Sequence, residues 1–297
     1  MKKQTIHYII NPKAGTKHGI NFSEIILKYI DLNKFDYHIK YTECAGHATV
    51  LALDAVNSNV EYCFAVGGDG TVNEVAQALK NSNTCLGIVP MGSGNGLARH
   101  LQIPLDAADA IKLVNSGKIL RMDSMLVNGN YSINVSGIGF DAHVASLFGK
   151  GGKRGFFNYL KIVLSEFNKY PNQQMQITCD GYTSDKNLFI VAFANSSQFG
   201  NNAIIAPSAS VVDEYINLVM FHKQGLIKTL LLAPRIFRGK LEDSDDIEML
   251  QVKNINIKTL QPIALHIDGE PKGLATEFKI QVMPSTNNIL VPEKTYR

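Results

Sequence analysis

No stretch of this chain approaches the roughly 20 consecutive apolar residues that a membrane-spanning helix needs. The N-terminus, Met1-Lys2-Lys3-Gln4-Thr5, runs straight into a strand-like segment without the apolar core of a secretion signal. The expectation is a cytoplasmic protein, soluble or peripheral, whose lipid contacts, if it has any, are made by surface elements. No C-x-x-C pair occurs. The four cysteines, Cys44, Cys63, Cys85 and Cys179, lie apart and mostly inside apolar runs, the pattern of reduced, buried thiols in a cytosolic protein. A large excess of charge is also missing. The formal net charge is +3 and the pI near 8.5, which speaks against a nucleic-acid partner while leaving room for a local basic patch facing anionic lipid. Internal repeats and low-complexity tracts are absent too.

What is there is an ordinary globular composition of 297 residues, 45% hydrophobic and 19% charged, a length that suggests two domains. The first half alternates strand and helix. Ile6 to Ile10 is an apolar run ending at Asn11-Pro12. A helical face of Phe22, Ile25, Ile26, Tyr29 and Ile30 follows, then a strand-like Tyr37 to Thr42 and a helix from Ala48 to Val56. Tyr62 to Val66 reads as a buried strand closed by Gly67-Gly68. The next helix sets Val72, Val75, Ala76 and Leu79 at i, i+3, i+4 and i+7. Cys85 to Pro90 is another strand, and Ala107, Ala110, Ile111 and Val114 mark another helix. This alternation predicts an α/β, Rossmann-like domain with a parallel sheet, whose ligands bind beyond the carboxyl ends of the strands.

After residue 122 the pattern changes to period-two alternation: Gln174 to Asp180, Asn187 to Ala194, Asn217 to His222, Val252 to Lys258, Ala264 to Asp268 and Glu277 to Met283. Such runs predict a mainly antiparallel β-sandwich over 123–287, interrupted by helices at Phe156 to Tyr170 and Leu226 to Phe237.

Candidate chemistry sits in the loops. Gly67-Gly68-Asp69-Gly70-Thr71-Val72-Asn73-Glu74 joins a buried strand to an amphipathic helix. Its glycines free backbone N–H groups for an anion, and the helix N-terminus adds partial positive charge. Asp69 would repel a phosphate there unless a cation such as Mg²⁺ stood between them. The same spacing also describes a glycine turn with Asp69 as a helix cap. A second loop, Pro90-Met91-Gly92-Ser93-Gly94-Asn95-Gly96-Leu97-Ala98-Arg99, follows a strand at the same sheet edge, and Asn11-Pro12-Lys13-Ala14-Gly15 ends the first strand. Three small-residue loops at one edge favour a nucleotide site over three unrelated turns.

Together with Gly137-x-Gly139-Phe140-Asp141, Ala206-Pro207 and Asp268-Gly269-Glu270, these segments resemble, in order and over nearly the whole chain, the catalytic-domain family of diacylglycerol kinases, sphingosine kinases and their bacterial relatives. The resemblance implies two domains with an active site in the cleft between them, and a final segment, 288–297, returning to the first domain. It implies ATP and Mg²⁺ as cosubstrates and a lipid alcohol as acceptor, phosphorylated at a membrane surface. Carried over residue by residue, it assigns the ATP site to Asn11, Thr42, Gly67, Gly68, Asp69, Gly70, Thr71, Val72, Asn73, Gly92, Ser93 and Asn95. Asp69 would organise Mg²⁺, Asp268 would be the general base, and Glu270 would support the metal or the base. Read without the resemblance, Asp268-Gly269 is equally a hairpin turn.

The family's structural-metal motif is altered here to Val212-Asp213-Glu214, so that a site formed by Asp213 with the carbonyls of Ser210 and Tyr215 competes with a simple turn cap. For the lipid side, two segments mix apolar and basic residues: Phe148 to Phe167 with Lys150, Lys153, Arg154 and Lys161, and Leu226 to Leu232 with Lys223, Lys228, Arg235 and Arg238. Each is also compatible with a core helix that has a solvated basic edge. Asp141 and His143 are candidate head-group contacts. The Gly92-Ser93-Gly94-Asn95-Gly96 form resembles sphingosine-kinase relatives slightly more than diacylglycerol kinases. The competing functions are an NAD kinase, which shares a similar Gly-Gly-Asp-Gly-Thr loop, and a catalytically silent lipid- or nucleotide-binding module. The expected partners are the lipid alcohol and the membrane surface, with no nucleic acid; a homodimer is allowed for.

Overall fold

The strand–helix alternation of the first half closes into a parallel sheet in the computed structural model, which describes residues 2–15, 21–150, 156–225, 234–241 and 246–295. The chain forms two compact units, Met1–Asp123 with Pro284–Arg297, and Ser124–Met283. The boundaries expected from sequence were 122 and 288.

In the first unit the elements run β1 (Gln4–Ile10), α1 (Phe22–Tyr29), β2 (Phe35–Tyr41), α2 (His47–Asn57), β3 (Tyr62–Gly67), α3 (Asp69–Leu79), β4 (Cys85–Pro90), α4 (Gly96–His100) and α5 (Ala107–Ser116). The strands pair in parallel: β1 lies between β2 and β3, and β3 pairs β4 from Tyr62↔Cys85 to Gly67↔Pro90. The returning C-terminal segment adds a parallel neighbour to β4 through Asn288↔Cys85 and Ile289↔Leu86. It is tied down further by Asn287 Nδ2, which donates to the Ala76 carbonyl at 2.8 Å. Central strands covered on both faces must be apolar throughout. Ile6, Tyr8 and Ile9 of β1 and Cys63, Phe64 and Ala65 of β3 are accordingly buried. Val72, Val75, Ala76 and Leu79 of α3 are buried at the expected helical spacing. Because the strands are parallel, the loops after β1, β2, β3 and β4 all leave from one edge of the sheet.

The chain enters the second unit within β5 (Lys118–Val127). It continues through β6 (Asn130–Ser132), β7 (Val135–Gly139), α6 (Phe140–Lys150), α7 (Phe156–Phe167), β8 (Gln173–Cys179), β9 (Tyr182–Leu188) and β10 (Ile190–Ala194). It ends with β11 (Ile216–Phe221), β12 (Ile247–Val252), β13 (Asn254–Ile267) and β14 (Glu270–Val291). The pairings within this unit are antiparallel, in the order β12-β11-β10-β7-β13-β14, with β8 and β9 added alongside β13. β13 pairs β8 through Ile255–Thr259 and β7 through Leu265 and His266. Register shifts between Lys258 and Ile263, and between Ala264 and His266, bend it so that one strand serves both layers of the sandwich. Alternate residues such as Ile138, Ile177, Phe193, Leu218, Ile257 and Phe278 fill the space between the layers.

One expectation changes. Asn187 to Ala194 is not one strand: it breaks at Phe189, which stacks on Phe140 at 4.5 Å between ring centroids. Of the helix expected over Leu226 to Phe237, residues 226–233 lie outside the described residues, and 234–238 are helical. Lys153 and Arg154 also lie outside them. Among the described residues no helix is long and apolar enough to cross a membrane.

Candidate active site

Helix α3 gathers three loops of the first unit through its side chains. Thr71 Oγ1 accepts a hydrogen bond from Asn11 Nδ2 at 3.2 Å, which fixes the loop after β1. Asp69 accepts from the backbone N–H groups of Asn95 (3.0 Å) and Gly96 (2.8 Å), one on each oxygen, which fixes the loop after β4. Glu74 accepts from Gly46 N (2.9 Å) and Ala48 N (3.1 Å), which fixes the start of α2 after β2. The third anchor was missed from sequence, because Glu74 was read there only as the end of a motif. Its signal is the Gly46-His47-Ala48 helix start, where Gly46 offers no side-chain cap.

Close backbone approach explains the glycines. A Cβ on Gly92 would stand 2.7 Å from the Gly68 Cα, and one on Gly15 would stand 2.3 Å from the Met91 carbonyl oxygen. The second loop folds on itself: Asn95 Oδ1 accepts from Gly92 N at 2.9 Å, and its Nδ2 donates to the Gly92 carbonyl at 2.8 Å. α3 begins at Gly68 with no side-chain cap. First-turn N–H groups have no partner within their helix, so they and the dipole favour an anion at this end. A cleft of about 300 Å³ opens beside the loops, lined by Gly15, Met91, Gly92, Ser93 and Asn95 on one side and by Ile25 and Leu105 to Ala108 on the other. Ile25 and the start of α5 carry no glycine or phosphate-loop pattern, so sequence reading had no reason to bring them here.

Of the residues assigned to ATP by resemblance, Asn11, Gly67, Gly68, Asp69, Gly70, Thr71, Gly92, Ser93 and Asn95 belong to these converging loops. Thr42 adjoins them, its N–H bonded to the Ile10 carbonyl at 2.9 Å. Val72 is a core residue, so only its backbone faces the loop. Asn73, half-buried, lies one turn along the same helix. Asp69 has a function that the sequence argument did not give it. Its carboxylate holds the second glycine loop, so a cation is not required to account for an acid at this position. Among the described residues no three or more His, Cys, Asp or Glu side chains cluster as a metal site.

In the second unit Asp268 and Gly269 both have positive φ (47° and 86°) and close the β13–β14 hairpin between Ile267 and Glu270. Asn, Asp and Gly are favoured in such a two-residue turn. The Asp268 carboxylate accepts hydrogen bonds from Ser132 Oγ (2.6 Å) and Asn134 N (3.1 Å) on Oδ1, and from Ile133 N (3.0 Å) on Oδ2. Asp268 N donates to Ser136 Oγ, which lies 2.8 Å from Ser132 Oγ. The ring Asp268 N–H, Ser136, Ser132, Asp268 Oδ1 therefore closes on itself. Glu270 is exposed at the start of β14.

Asp213 caps a turn. Its oxygens accept from Tyr215 N (3.0 Å) and Gln251 Nε2 (3.3 Å), while the neighbouring Glu214 pairs with Lys253 at 3.3 Å. Ser210 Oγ accepts from Val212 N at 3.4 Å, so Ser210 and Tyr215 belong to the same turn. Asp141 is not displayed to solvent as a head-group contact would be. Its side chain is 10% exposed and bonded to His266. His143 lies 3.3 Å from Glu166, whose carboxyl is held below its ordinary range by the ammonium of Lys169 and then by His143.

Comparison with known proteins matches residues 5–127 to the diacylglycerol kinase catalytic domain and residues 134–291 to the YegS C-terminal NAD kinase beta sandwich-like domain. A protein of Bacillus subtilis named diacylglycerol kinase is 28% identical over 294 residues, covering 92% of this chain and 91% of its own. A Pectobacterium atrosepticum protein named "Probable lipid kinase YegS-like" is 27% identical over 88% of this chain and 89% of its own. Among solved structures, a diacylglycerol kinase from Bacillus anthracis superposes over the full length of both chains with a TM-score of 0.76 at 22% identity. An NAD kinase from Archaeoglobus fulgidus in complex with ATP superposes over 98% of this chain and 96% of its own, with a TM-score of 0.51 at 11% identity, a likeness of fold alone.

Proposed function

Because the chain belongs to the family that joins a diacylglycerol kinase catalytic domain to a YegS-type β-sandwich domain, we propose that it is a lipid kinase that moves the γ-phosphate of ATP to a lipid hydroxyl at a membrane surface. The observation that carries this reading is the convergence on α3. Asn11, Asp69 and Glu74 lock three loops around one uncapped helix N-terminus beside a cleft of about 300 Å³. A site of that kind suits a polyphosphate with an attached base better than a neutral ligand.

Phosphoryl transfer needs positioning and charge neutralisation more than covalent chemistry from the protein. In this reading the first-turn N–H groups of α3 and the backbone N–H of Ser93 hold the phosphates, while Asn95 keeps the Gly92 backbone in place beside them. Asp69 keeps the second loop in place for that purpose. In this reading Asp69 would also be the one carboxylate beside Mg²⁺, the single-carboxylate contact that the ion takes when phosphates and water complete its shell. Mg²⁺ would supply charge neutralisation between the phosphate oxygens. Asp213, with both oxygens engaged in a turn and Lys253 close to the adjoining Glu214, fits a second metal less well.

Asp268 is the acceptor-side group in this reading. Donors from Ser132, Ile133 and Asn134 hold its carboxylate rigid, and its role in this reading is to take the proton of the lipid hydroxyl. The test is ATP consumption with a panel of lipid alcohols in mixed micelles, sphingoid bases included, and with NAD as the competing acceptor. Label from ATP appearing in a lipid product is expected. Label in NADP instead, or no turnover with any acceptor, overturns the proposal in favour of an NAD kinase or a silent binding module.

A further inference from the structure

Three elements of the second unit bring one residue each to a small buried cluster behind the Asp268 turn. Asp141 stands in the first turn of α6, His266 near the end of β13 and Gly137 on β7, directly opposite His266 in the strand pairing. His266 Nε2 lies 3.1 Å from Asp141 Oδ2, with the two side chains 3% and 10% exposed. His266 Nδ1 accepts the backbone N–H of Gly269 at 3.2 Å. A ring nitrogen that accepts cannot carry the proton, so the proton is on Nε2 and points at Asp141. Gly137 makes room: a Cβ there would lie 2.7 Å from Asp141 Oδ2 and 3.1 Å from His266 Nε2.

Nothing about the hairpin itself calls for this arrangement. Asp268-Gly269 is a two-residue turn with left-handed backbone at both positions and closes without help. Taking a carboxylate and an imidazole out of water carries a desolvation penalty that an apolar pair would avoid. What the pair does accomplish is geometric. It connects the start of α6 to the N–H of Gly269, the residue after Asp268, while Ser132 to Asn134 hold the Asp268 carboxylate from the other side. The turn is thereby gripped at its backbone and at its side chain by different elements.

We propose that Asp141 and His266 are positioning residues that set the Asp268 turn for phosphoryl transfer, Asp141 acting through His266 on Gly269. The proposal rests on Asp268 being the acceptor-side group. Removing the Asp141 carboxylate frees the imidazole to rotate, releases Gly269 N–H and lets Asp268 move. Displacement of a reacting group by about 1 Å is enough to lower a rate by one to two orders of magnitude.

The experiment compares Asp141→Ala, Asp141→Asn and Gly137→Ala with the unaltered enzyme in single-turnover lipid phosphorylation. Rates are normalised to bound-ATP stoichiometry, and thermal melting is recorded in parallel. Asp141→Ala should lower kcat about 10- to 100-fold with KM for ATP within about twofold of normal. Asp141→Asn, which still offers an oxygen to Nε2–H, should recover the rate to within a few-fold. Gly137→Ala sets a methyl group against Asp141 Oδ2, His266 Nε2 and the Val191 carbonyl, which displaces the pair and should reproduce the kcat loss. If Asp141→Ala does not fold, Gly137→Ala and Asp141→Asn carry the test. A folded Asp141→Ala or Gly137→Ala enzyme with normal kcat overturns the proposal, as does an Asp141→Asn enzyme as slow as the alanine variant. Asp268→Asn, measured alongside, separates the two levels. A normal rate in that variant defeats the role of Asp268 itself, whereas a slow Asp268→Asn with a normal Asp141→Ala defeats only the positioning pair.

Discussion

Asp69 accepts the backbone N–H of Gly96 at 2.8 Å, so the acid of the first glycine loop holds the second. Replacement by alanine should therefore do more than remove a metal contact. It leaves the N–H groups of Asn95 and Gly96, both buried residues, without their acceptor, at a cost of about 1–3 kcal/mol. Activity should fall about 10²-fold or more, and the melting temperature should fall even in metal-free buffer. Unchanged melting in a chelator, with Mg²⁺-dependent turnover lost, would assign Asp69 to the metal alone.

Glu74 should behave as a remote part of the same site. It holds Gly46 N and Ala48 N at the start of α2, where Gly46 provides no cap. Glu74→Ala should lower stability by about 1–2 kcal/mol, the scale of a lost helix cap. KM for ATP should rise more than kcat falls, because the loop from Thr42 to Gly46 loses its anchor. Urea melts and steady-state kinetics on the same preparation check this. A change confined to stability would remove Glu74 from the site.

Asp268→Asn is not a neutral replacement in this structure. Oδ1 and Oδ2 accept from Ser132, Ile133 and Asn134, and an amide nitrogen on either position would face an N–H group or a hydroxyl. The variant should melt early and also phosphorylate lipid about 10²-fold more slowly. Ser132→Ala separates the effects. It removes one donor but keeps the carboxylate, and should cost less than about 10-fold in rate. Early melting of Asp268→Asn with a normal single-turnover rate would make Asp268 a turn residue only.

Stability should decline on mild acidification. Burial holds His100 down to about 4, and burial followed by the charges of Lys40 and His38 holds His7 down to about 4, with Asp54 opposing. Both values lie below the 6.5 of an unfolded imidazole, so the unfolded chain takes up protons first. The stabilisation is complete above pH 6.5 and is lost as pH falls from 6.5 toward 4. Melting temperatures across that range should drop, and His100→Gln should flatten the slope. A flat profile for the unaltered protein would contradict both values.

Much of the first unit was legible in sequence because its signals are local. The 3.6-residue spacing of Val72, Val75, Ala76 and Leu79, and the apolar runs of β1, β3 and β4, report directly on burial. The glycine loops could be placed at one sheet edge because parallel strands all end there. The second unit was legible in class but less so in segments. β13 was read as two runs, Val252 to Lys258 and Ala264 to Asp268, because its register shifts interrupt the alternation. Phe189 broke a continuous alternation for a reason no window of sequence contains, its stacking on Phe140.

The sequence by itself determined the alternation of elements, the loops rich in glycine and the acids placed within them, since each depends on neighbours a few residues apart. Only the tertiary structure decided what those acids hold. Asp69 reaches Gly96 across 27 positions, Glu74 reaches Gly46 across 28 and Asp268 reaches Ser132 across 136. A carboxylate reads the same in sequence whether it meets a cation, a hydroxyl or a backbone N–H group. Which of these it meets is set by chain segments that packing brings together, and the unmet N–H groups of a turn or helix start are a cost that appears only once that packing exists.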